Sequence, residues 1–405
     1  MIFQRAIEYL SDRPFRLNII ISLCVLFLHS SYGLIFGPTF SPDSHRYVDW
    51  SILLLESDFA IQPLLDNPNF YLSPIQYLSF VYLISGLMSI FGDSWSYALV
   101  LINGCASAMT MLLVLESIRK CCKSVVPIFV VGLIYLASVD IMIWNKFILT
   151  DMIFLLIVSA LMWCLFDLVD HRTGLWDSVS LRLLISALLI CIALVTRPTA
   201  IPVGGAAVIL LIAYLIFSFL EKGLSKSDMR AFATVGGFAS LIIAISVASL
   251  FLLRSDFVLF SSFQSVLDYY EAFMIEGAIV HDRHETYIDS SETITAYLKV
   301  IGLRMCYFFS PIITGYGAIH IIANLMVFLP TYFFAVYSFN CLRDEFRLSK
   351  RFLWTILICM FFVFSIALFT SLTLLDYDFR YRLPALPGLL ILCGLGIDMF
   401  IARKF

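Results

Sequence analysis

Residues 17–36 read LNIIISLCVLFLHSSYGLIF, and a charged stretch, SPDSHRYVDWS, follows closely at residues 41–51. About 20 residues of α-helix span about 30 Å, the thickness of the hydrocarbon core of a bilayer. The first stretch therefore predicts a transmembrane helix, and it lacks the small-residue cleavage site of a removable signal. The second stretch concentrates polar side chains where that helix leaves the membrane.

This alternation of apolar and polar stretches continues along the whole chain. Of 405 residues, 61% are hydrophobic and 14% are charged, and the mean hydropathy is +0.95. That is too little charge to surround a water-soluble core of this size. We therefore predict an all-α polytopic membrane protein, with residues 1–405 as a single polytopic domain and no separate soluble domain. Twelve stretches approach the length of a crossing: 17–36, 75–91, 97–115, 125–143, 150–167, 183–196, 201–220, 231–253, 294–314, 318–341, 352–375 and 384–402.

Basic residues between these stretches predict the orientation, because cytoplasmic loops of membrane proteins are enriched in lysine and arginine. The clusters are Arg5, Arg13 and Arg16; Arg119, Lys120 and Lys123; Lys222, Lys226 and Arg230; Arg343, Arg347, Lys350 and Arg351; and Arg403 with Lys404. Loops 37–74 and 254–293 are acidic and are predicted to be external, with interfacial helices in the first. The formal net charge of −3 and the scattered basic residues exclude a nucleic-acid-binding face.

Twelve crossings conflict with this orientation. The N-terminus and Arg119 are separated by three apolar stretches, so they share a side only if one stretch fails to cross. Stretch 75–91 is short and follows Pro74, so we predict that it does not cross. Stretch 294–314 carries two basic residues and predicts an interfacial amphipathic helix. Ten crossings then satisfy every basic cluster, whereas twelve would place Asp151 in the cytoplasm.

The stretch at 41–51 contains a candidate catalytic carboxylate. Asp43 and Tyr47 are four residues apart and therefore share one face of a helix at the membrane surface. A carboxylate there can act as a general base on a substrate that arrives from either phase. We expect Tyr47 and His45 to contact that substrate. The alternative is structural, with Asp43 as a helix cap and Tyr47 in the aromatic belt.

A second aspartate opens an apolar run in WNKFILTDMIFLLIV, residues 144–158. Asp151 at such a depth is costly unless it is paired, capped or functional. Thr150 or Asp151 could cap the helix, Lys146 could neutralise the carboxylate, or Asp151 could take part in catalysis. The residues leave these alternatives open.

Arginines gather late in the chain, in LLDYDFRYRLPALPGLL at residues 374–390. Arg380 and Arg382 flank Tyr381 in a loop predicted to be external, where arginine runs against the positive-inside tendency. Guanidinium groups bind phosphate in a planar, bidentate manner, so these three residues predict a phosphate site. The alternative is an internal ion pair with the two aspartates of the same stretch.

Three further polar motifs are weaker candidates for a functional site. Arg197, in the turn LVTRPTAIP, either meets a phosphate or extends its charge to the interface. The sequence HDRHE at residues 281–285 lacks a metal-ligand spacing and is typical of a solvated loop. His320 and Asn324, one helical turn apart, predict buried hydrogen-bonded groups.

Four motifs in this order resemble the GT-C superfamily of membrane glycosyltransferases. They are PDSHRYVDWS, LTDMIFLLIV, LVTRPT and FRYRLPALP, and they cover residues 43–387. The pattern is most similar to the protein O-mannosyltransferase-like and lipid A aminoarabinose transferase-like branch. The resemblance implies a GT-C-like bundle of about 10–12 membrane helices. It also implies a polyprenyl-phosphate sugar donor, a lipid, glycan or protein acceptor reached from the extracytoplasmic side, and inversion at the anomeric carbon.

The resemblance also implies residue roles. Asp43 matches the first-loop carboxylate that serves as general base, Tyr47 matches the aromatic residue one turn later, and Asp151 matches the second acidic position. The late arginine motif matches the element near the donor phosphate. The residue after the first carboxylate is often a second acid in the family and is Ser44 here, which weakens a two-carboxylate metal site. No cofactor is certain, and a divalent metal stays open. The expected location is the bacterial inner membrane.

Two other classes of protein fit parts of the sequence. An O-antigen-type polymerase or ligase would act on lipid-linked glycans through arginines in large external loops, but loop 254–293 holds only Arg254 and Arg283. A flippase or transporter of a lipid-linked sugar would place polar residues along a midplane path within paired repeats. The sequence contains neither a fixed-period repeat nor a file of midplane charges.

Overall fold

The computed structural model describes residues 14–65, 74–169, 176–222, 294–313, 316–344, 350–373 and 379–404. Within these ranges the chain is helical, apart from loops and one isolated bridge between Thr39 and Phe147, which confirms the predicted all-α class. The α-helices are α1 (Pro14–Phe36), α2 (Pro42–Glu56), α3 (Gln62–Leu65), α4 (Leu78–Phe91), α5 (Trp95–Cys121), α6 (Val126–Leu136), α7 (Val139–Trp144), α8 (Asp151–Val169), α9 (Trp176–Leu194), α10 (Ala200–Lys222), α11 (Ile294–Phe308), α12 (Ala318–Asp344), α13 (Lys350–Thr373) and α14 (Leu386–Lys404).

Six helical stretches in the described part of the chain are long and apolar enough to cross a bilayer. They are Phe15–Phe36, Ile75–Cys121, Asp151–Leu168, Ala318–Phe339, Phe352–Leu372 and Phe379–Arg403. Three shorter apolar helices fall in other predicted stretches: Val126–Leu136, Arg182–Leu194 and Ala200–Tyr214. The predicted stretch 231–253, loop 254–293 and part of loop 37–74 lie outside the described residues. The chain is an integral membrane protein.

Helices α1 and α5 form a closely packed antiparallel pair. Asn18, near the start of α1, donates a hydrogen bond to Glu116 near the end of α5 at 2.7 Å. Midway along the pair, a Cβ atom on Gly104 would collide with the side chain of Ser30, so glycine permits the close approach. Because the two helices run in opposite directions, the end of α1 and the start of α5 lie together, where Phe40 contacts Trp95 at 6.1 Å between ring centroids.

The two acidic motifs lie at one end of the bundle, which we call the Asp43 end. The Thr39 amide donates to the Lys146 carbonyl at 2.9 Å, and the Ile148 amide donates to the Thr39 carbonyl at 3.0 Å. The segment leading into Asp151 therefore runs beside the segment leading into Asp43. This arrangement agrees with the parity argument that put both aspartates on one side.

The opposite end, which we call the Lys120 end, collects basic residues and their partners. Asp167, near the end of α8, pairs with Lys120 of α5 and with Arg182 of α9, the latter at 2.6 Å. Arg119 pairs with Glu116 at 2.8 Å. These contacts show that α8 and α9 run from one end of the bundle to the other, as crossing helices must.

Helix α4 starts and finishes at the Asp43 end. The ring of Tyr77, just before α4, lies 5.1 Å from the ring of Tyr47 in α2. Ser51 of α2 donates to the Val81 carbonyl at 3.1 Å, so α2 and α4 pack side by side. After α4 the chain turns at Gly92, whose φ of +51° favours glycine, and enters α5. Both ends of α4 thus lie at the Asp43 end, and that stretch 75–91 does not cross the membrane stays a prediction.

Helix α11 differs from the predicted interfacial amphipathic helix. Arg304 is fully buried, and its guanidinium donates to the Ser371 carbonyl of α13 at 3.2 Å. The prediction from sequence placed Arg304 on the polar face of an interfacial helix. Ser371, near the end of the neighbouring helix α13, offers a carbonyl that accepts from this buried guanidinium inside the bundle.

Candidate active site

The start of α2 leaves Asp43 available for ion pairing. Ser41 is the N-cap and forms a capping box with Ser44, whose hydroxyl accepts from the Ser41 amide at 2.9 Å. Asp43 therefore does not cap the helix, so the part of the alternative that made it the N-cap is wrong. Ser44, the residue after Asp43, thus has a local structural role in the capping box.

Asp43 is held between two guanidinium groups. Its Oδ1 accepts from Arg46 Nη2 at 2.6 Å, and its Oδ2 pairs with Arg380 Nη2 at 2.9 Å. Arg46 lies one turn further along α2, whereas Arg380 comes from the short 3₁₀ turn Phe379–Tyr381 before α14. The Asp43 side chain remains 28% exposed. A substrate can thus reach a carboxylate that is already close to two cations.

The second aspartate is buried and has its own partner. Asp151 is the first residue of α8 and forms an ion pair with Arg197, in the turn between α9 and α10; both side chains are buried. Lys146 instead lies over the ring of Tyr32 at 5.9 Å, so it is not the partner of Asp151. Burial would by itself lower the pKa of Arg197, but the charge of Asp151, the hydrogen bond to it and the nearby Tyr381 together raise that pKa above its usual value. Arg197 is therefore charged at any physiological pH.

Tyr381 joins the two ion pairs into one cluster. Its hydroxyl accepts a hydrogen bond from Arg380 Nη2 at 2.8 Å, and its ring centroid lies 5.5 Å from the Arg197 guanidinium carbon. We call this group the acid–arginine cluster; it consists of Asp43, Arg46, Asp151, Arg197, Arg380 and Tyr381. Its two carboxylates and three guanidinium groups give a net charge of +1. The buried Arg380 Nε has no hydrogen-bond partner among the described residues.

Aromatic rings form a wall beside the cluster. Tyr47 is buried and packs against Tyr77 and Phe80, with ring centroids 5.1 Å and 5.3 Å away. Burial raises the pKa of Tyr47 well above its usual value, with smaller contributions from Tyr77 and Asp43. The phenol is therefore neutral at physiological pH and can donate or accept a hydrogen bond.

Sequence reasoning missed two members of this site. The sequence did contain a signal for Arg46, because a residue three positions after Asp43 lies on the same face of a helix. Tyr77 had no such signal, because its place depends on α4 returning to the Asp43 end.

Two predicted site residues lie elsewhere. His45 is exposed and stacks on Phe40 with ring centroids 5.9 Å apart, so it faces away from the cluster. Arg382 is buried, and its guanidinium donates to the Ser310 carbonyl and lies 5.9 Å from the ring centroid of Phe328. The structure therefore corrects the prediction that Arg380 and Arg382 form one clamp.

Arg382 belongs to a second polar group, which we call the Asp140 cluster; it consists of Asp140, His320, Asn324, Tyr332 and Arg382. His320 Nε2 lies 2.6 Å from Asp140 Oδ1, and Asn324 and Arg382 also interact with Asp140. His320 is thus hydrogen-bonded, as predicted, although its side chain is 21% exposed. Asn324 is buried, as predicted, but its Nδ2 has no hydrogen-bond partner among the described residues.

Whether the protein needs a divalent metal stays open, as it was from the sequence. Within the described ranges, no group of three or more His, Cys, Asp and Glu side chains is placed to hold a metal ion. The HDRHE sequence at 281–285 and the aspartates preceding Arg380 lie outside the described residues.

Comparison with known proteins identifies the fold. No protein-family model matches the sequence, and no curated protein matches it. Two solved structures do match: ArnT from Cupriavidus metallidurans bound to undecaprenyl phosphate, and the same protein in the apo state. The first has a TM-score of 0.52 and 15% identity and covers 94% of this chain and 59% of its own. The second has a TM-score of 0.53 and 14% identity, over 96% and 60%.

These matches confirm the expected GT-C fold. ArnT is a lipid A aminoarabinose transferase with that fold, and the chain spans about three fifths of its length. At such low identity the comparison shows the architecture alone.

Proposed function

We propose that this protein is a membrane glycosyltransferase that moves a sugar from a polyprenyl-phosphate donor to an acceptor on the extracytoplasmic side, with inversion. The observation that supports this most is the acid–arginine cluster. It combines an accessible carboxylate with three guanidinium groups at one end of a GT-C bundle. A net positive charge at this depth favours an anionic ligand, and a lipid phosphate would present one there. The matching ArnT structure holds undecaprenyl phosphate, which agrees with a donor of that class.

In this proposal the arginines bind the donor phosphate. Arg380 is the principal contact, because it pairs with the partly exposed Asp43 at the accessible side of the cluster. Arg197 supports it from the buried side, and Asp151 acts by fixing Arg197. When the bond between the anomeric carbon and the phosphate oxygen breaks, the electron pair stays on the phosphate. Guanidinium groups already in place stabilise the charge that develops on this leaving group.

Asp43 is the proposed general base. A donor phosphate that takes over Arg380 would release one of the two cations that hold Asp43, so donor binding would free the carboxylate. The acceptor hydroxyl then forms its bond to the anomeric carbon and passes its proton to Asp43. Attack on the face opposite the leaving phosphate inverts the configuration. Tyr47 supports the acceptor side of the site.

The location follows from the distribution of charge. Arg119, Lys120 and Arg182 lie at the Lys120 end, and basic residues favour the cytoplasmic side. We therefore propose that the Asp43 end is extracytoplasmic, in a bacterial inner membrane.

The test uses purified protein in liposomes with a radiolabelled polyprenyl-phosphate sugar and an extract of envelope acceptors. We expect label to move from the donor to an acceptor, and Asp43→Asn to abolish this transfer. Asp49→Asn is the matched control, because Asp49 is an exposed aspartate on the same helix. Label that crosses the bilayer while still attached to the donor lipid would contradict the proposal and indicate a flippase. Transfer only from lipid-linked oligosaccharides would indicate a polymerase or ligase.

A further inference from the structure

The two acid-bearing segments are joined by backbone hydrogen bonds. Thr39 bridges to Lys146 and Ile148 through its amide and its carbonyl, at 2.9 Å and 3.0 Å. Four residues after Thr39 comes Asp43, in the first turn of α2, and three residues after Ile148 comes Asp151, which begins α8. Each carboxylate thus lies in the first turn of a helix that begins just beyond the bridge. The bridge is in a position to set the spacing of the two carboxylates.

The side chain of Asn103 supports this bridge through hydrogen bonds to the loop at residues 145–148. Asn103 of α5 is fully buried, and its Nδ2 donates to the carbonyls of Asn145 and Phe147 at 3.1 Å and 3.2 Å. Asn145 in turn donates to the His29 carbonyl of α1 at 3.2 Å. The loop at 145–148 is therefore attached to α1, to α5 and to Thr39. Among these contacts, only the Asn103 side chain forms two hydrogen bonds with the loop.

We propose that Asn103 is a positioning residue that sets the spacing between Asp43 and Asp151 and thereby seats Arg380 and Arg197. This inference rests on the proposed function. The contribution of Asn103 lies in its two N–H donors, because its Oδ1 has no partner among the described residues. Water cannot replace those donors easily, because the site is buried at the level of the bilayer. Without them the two carbonyls lose their partners and the loop moves relative to Thr39.

The expected consequence is a loss of turnover rather than of donor binding. Misplacement of a catalytic group by about 1 Å can cost about 100-fold in rate. Binding of the donor phosphate depends on guanidinium charge and is less sensitive to such a shift. Asn103→Leu should therefore lower turnover by up to about 100-fold while the KM for the donor stays close to its wild-type value.

Asn18→Leu is the matched control. Asn18 is a fully buried asparagine in the same pair of helices, and its side chain also donates through Nδ2, to Glu116. It lies at the Lys120 end, away from the bridge. A general loosening of the α1–α5 pair would affect both variants, whereas the proposal predicts lower turnover for Asn103→Leu alone.

A cross-link measures the bridge without any assay of activity. With Thr39→Cys and Phe147→Cys introduced together, mass spectrometry follows disulfide formation under mild oxidation. We expect slower cross-linking when Asn103→Leu is added and an unchanged rate when Asn18→Leu is added. Where Asn103→Leu does not accumulate, Asn103→Ala takes its place, because it removes both donors without adding bulk to the buried site.

Oxidation should also rescue activity. In the Asn103→Leu background the disulfide replaces the missing hydrogen bonds, so turnover should rise when the cross-link forms. Equal cross-linking rates in the presence and absence of Asn103→Leu, or no recovery of turnover after cross-linking, would overturn the inference. A wild-type protein without transfer activity would contradict the proposed function, and the cross-linking rates would still decide whether Asn103 holds the bridge.

Discussion

Arg380 and Arg382 are two residues apart, both largely removed from solvent, and they lie in different chemical surroundings. Arg380 joins the acid–arginine cluster, where its neighbours are Asp43 and Tyr381. Arg382 joins the Asp140 cluster and donates to a backbone carbonyl. The 3₁₀ turn that holds Arg380 ends at Tyr381, and Arg382 is the N-cap of the next 3₁₀ turn, Leu383–Ala385, so the two side chains leave the backbone from different turns. Two arginines that look like one clamp in the sequence are thus directed to two different groups.

The two clusters also differ in access. Asp43 is partly exposed, whereas Asp140 is completely buried and its partners are a histidine, an amide and an arginine. A group that must exchange a proton with a substrate needs access as well as charge. We therefore place the chemistry at Asp43 and give the Asp140 cluster a structural part in holding α7, α12 and the turn before α14. Substitutions in each cluster test this difference between Asp43 and Asp140.

The largest expected effect concerns the buried pair of the acid–arginine cluster. Asp151→Asn leaves the Arg197 charge buried without its counter-charge, which costs about 3–5 kcal/mol of unfolding free energy. The double variant Asp151→Asn with Arg197→Gln removes both charges and should recover much of that loss. Thermal unfolding in detergent micelles would compare the three proteins. If the single and double variants unfold at the same temperature, the two side chains do not depend on each other.

The next effect separates the two aspartates. Asp43→Asn keeps the shape of the side chain and removes its basicity, so turnover should fall by about 100-fold or more while donor binding survives. Asp140→Asn should leave turnover per folded molecule unchanged, because Asp140 does not reach the substrate. Steady-state rates normalised to folded protein would test both variants. An Asp43→Asn protein with normal turnover ends the general-base assignment.

The smallest effect concerns the histidine of the Asp140 cluster. His320→Gln retains a hydrogen-bond donor toward Asp140, so we expect a change of about 1 kcal/mol in stability and none in turnover or in its pH dependence. Rates measured across the physiological pH range would check this. A turnover loss comparable to that of Asp43→Asn would place His320 in the chemistry and remove the distinction between the clusters.

The outline of the fold and most of the site could be predicted from the sequence. Hydropathy alone predicts helices such as α1, because bilayer thickness dictates their length. Parity of the basic residues predicts that stretch 75–91 does not cross. The ordered motifs predict that Asp43, Asp151, Arg197 and Arg380 belong to one site, and the structure brings these four together.

The remainder depends on packing that local sequence does not encode. Arg382 and His45 point away from the site because a turn and a helix rotate successive side chains in different directions. Arg304 is buried and donates to a carbonyl of α13, which only the packing of α11 against α13 brings beside it. Tyr77 reaches the site only because α4 turns back. Each of these outcomes requires knowledge of which elements are neighbours.

Binding of a polyprenyl phosphate without sugar tests whether Arg380, and not Arg382, holds the donor phosphate. Affinity would be measured for the wild-type protein and for Arg380→Gln and Arg382→Gln, each reconstituted in the same lipid. A charge-assisted hydrogen bond contributes about 1.5–3 kcal/mol, so Arg380→Gln should weaken binding by about tenfold or more. Arg382→Gln should bind as the wild type does. Equal weakening by both variants, or weakening by Arg382→Gln alone, would contradict the account.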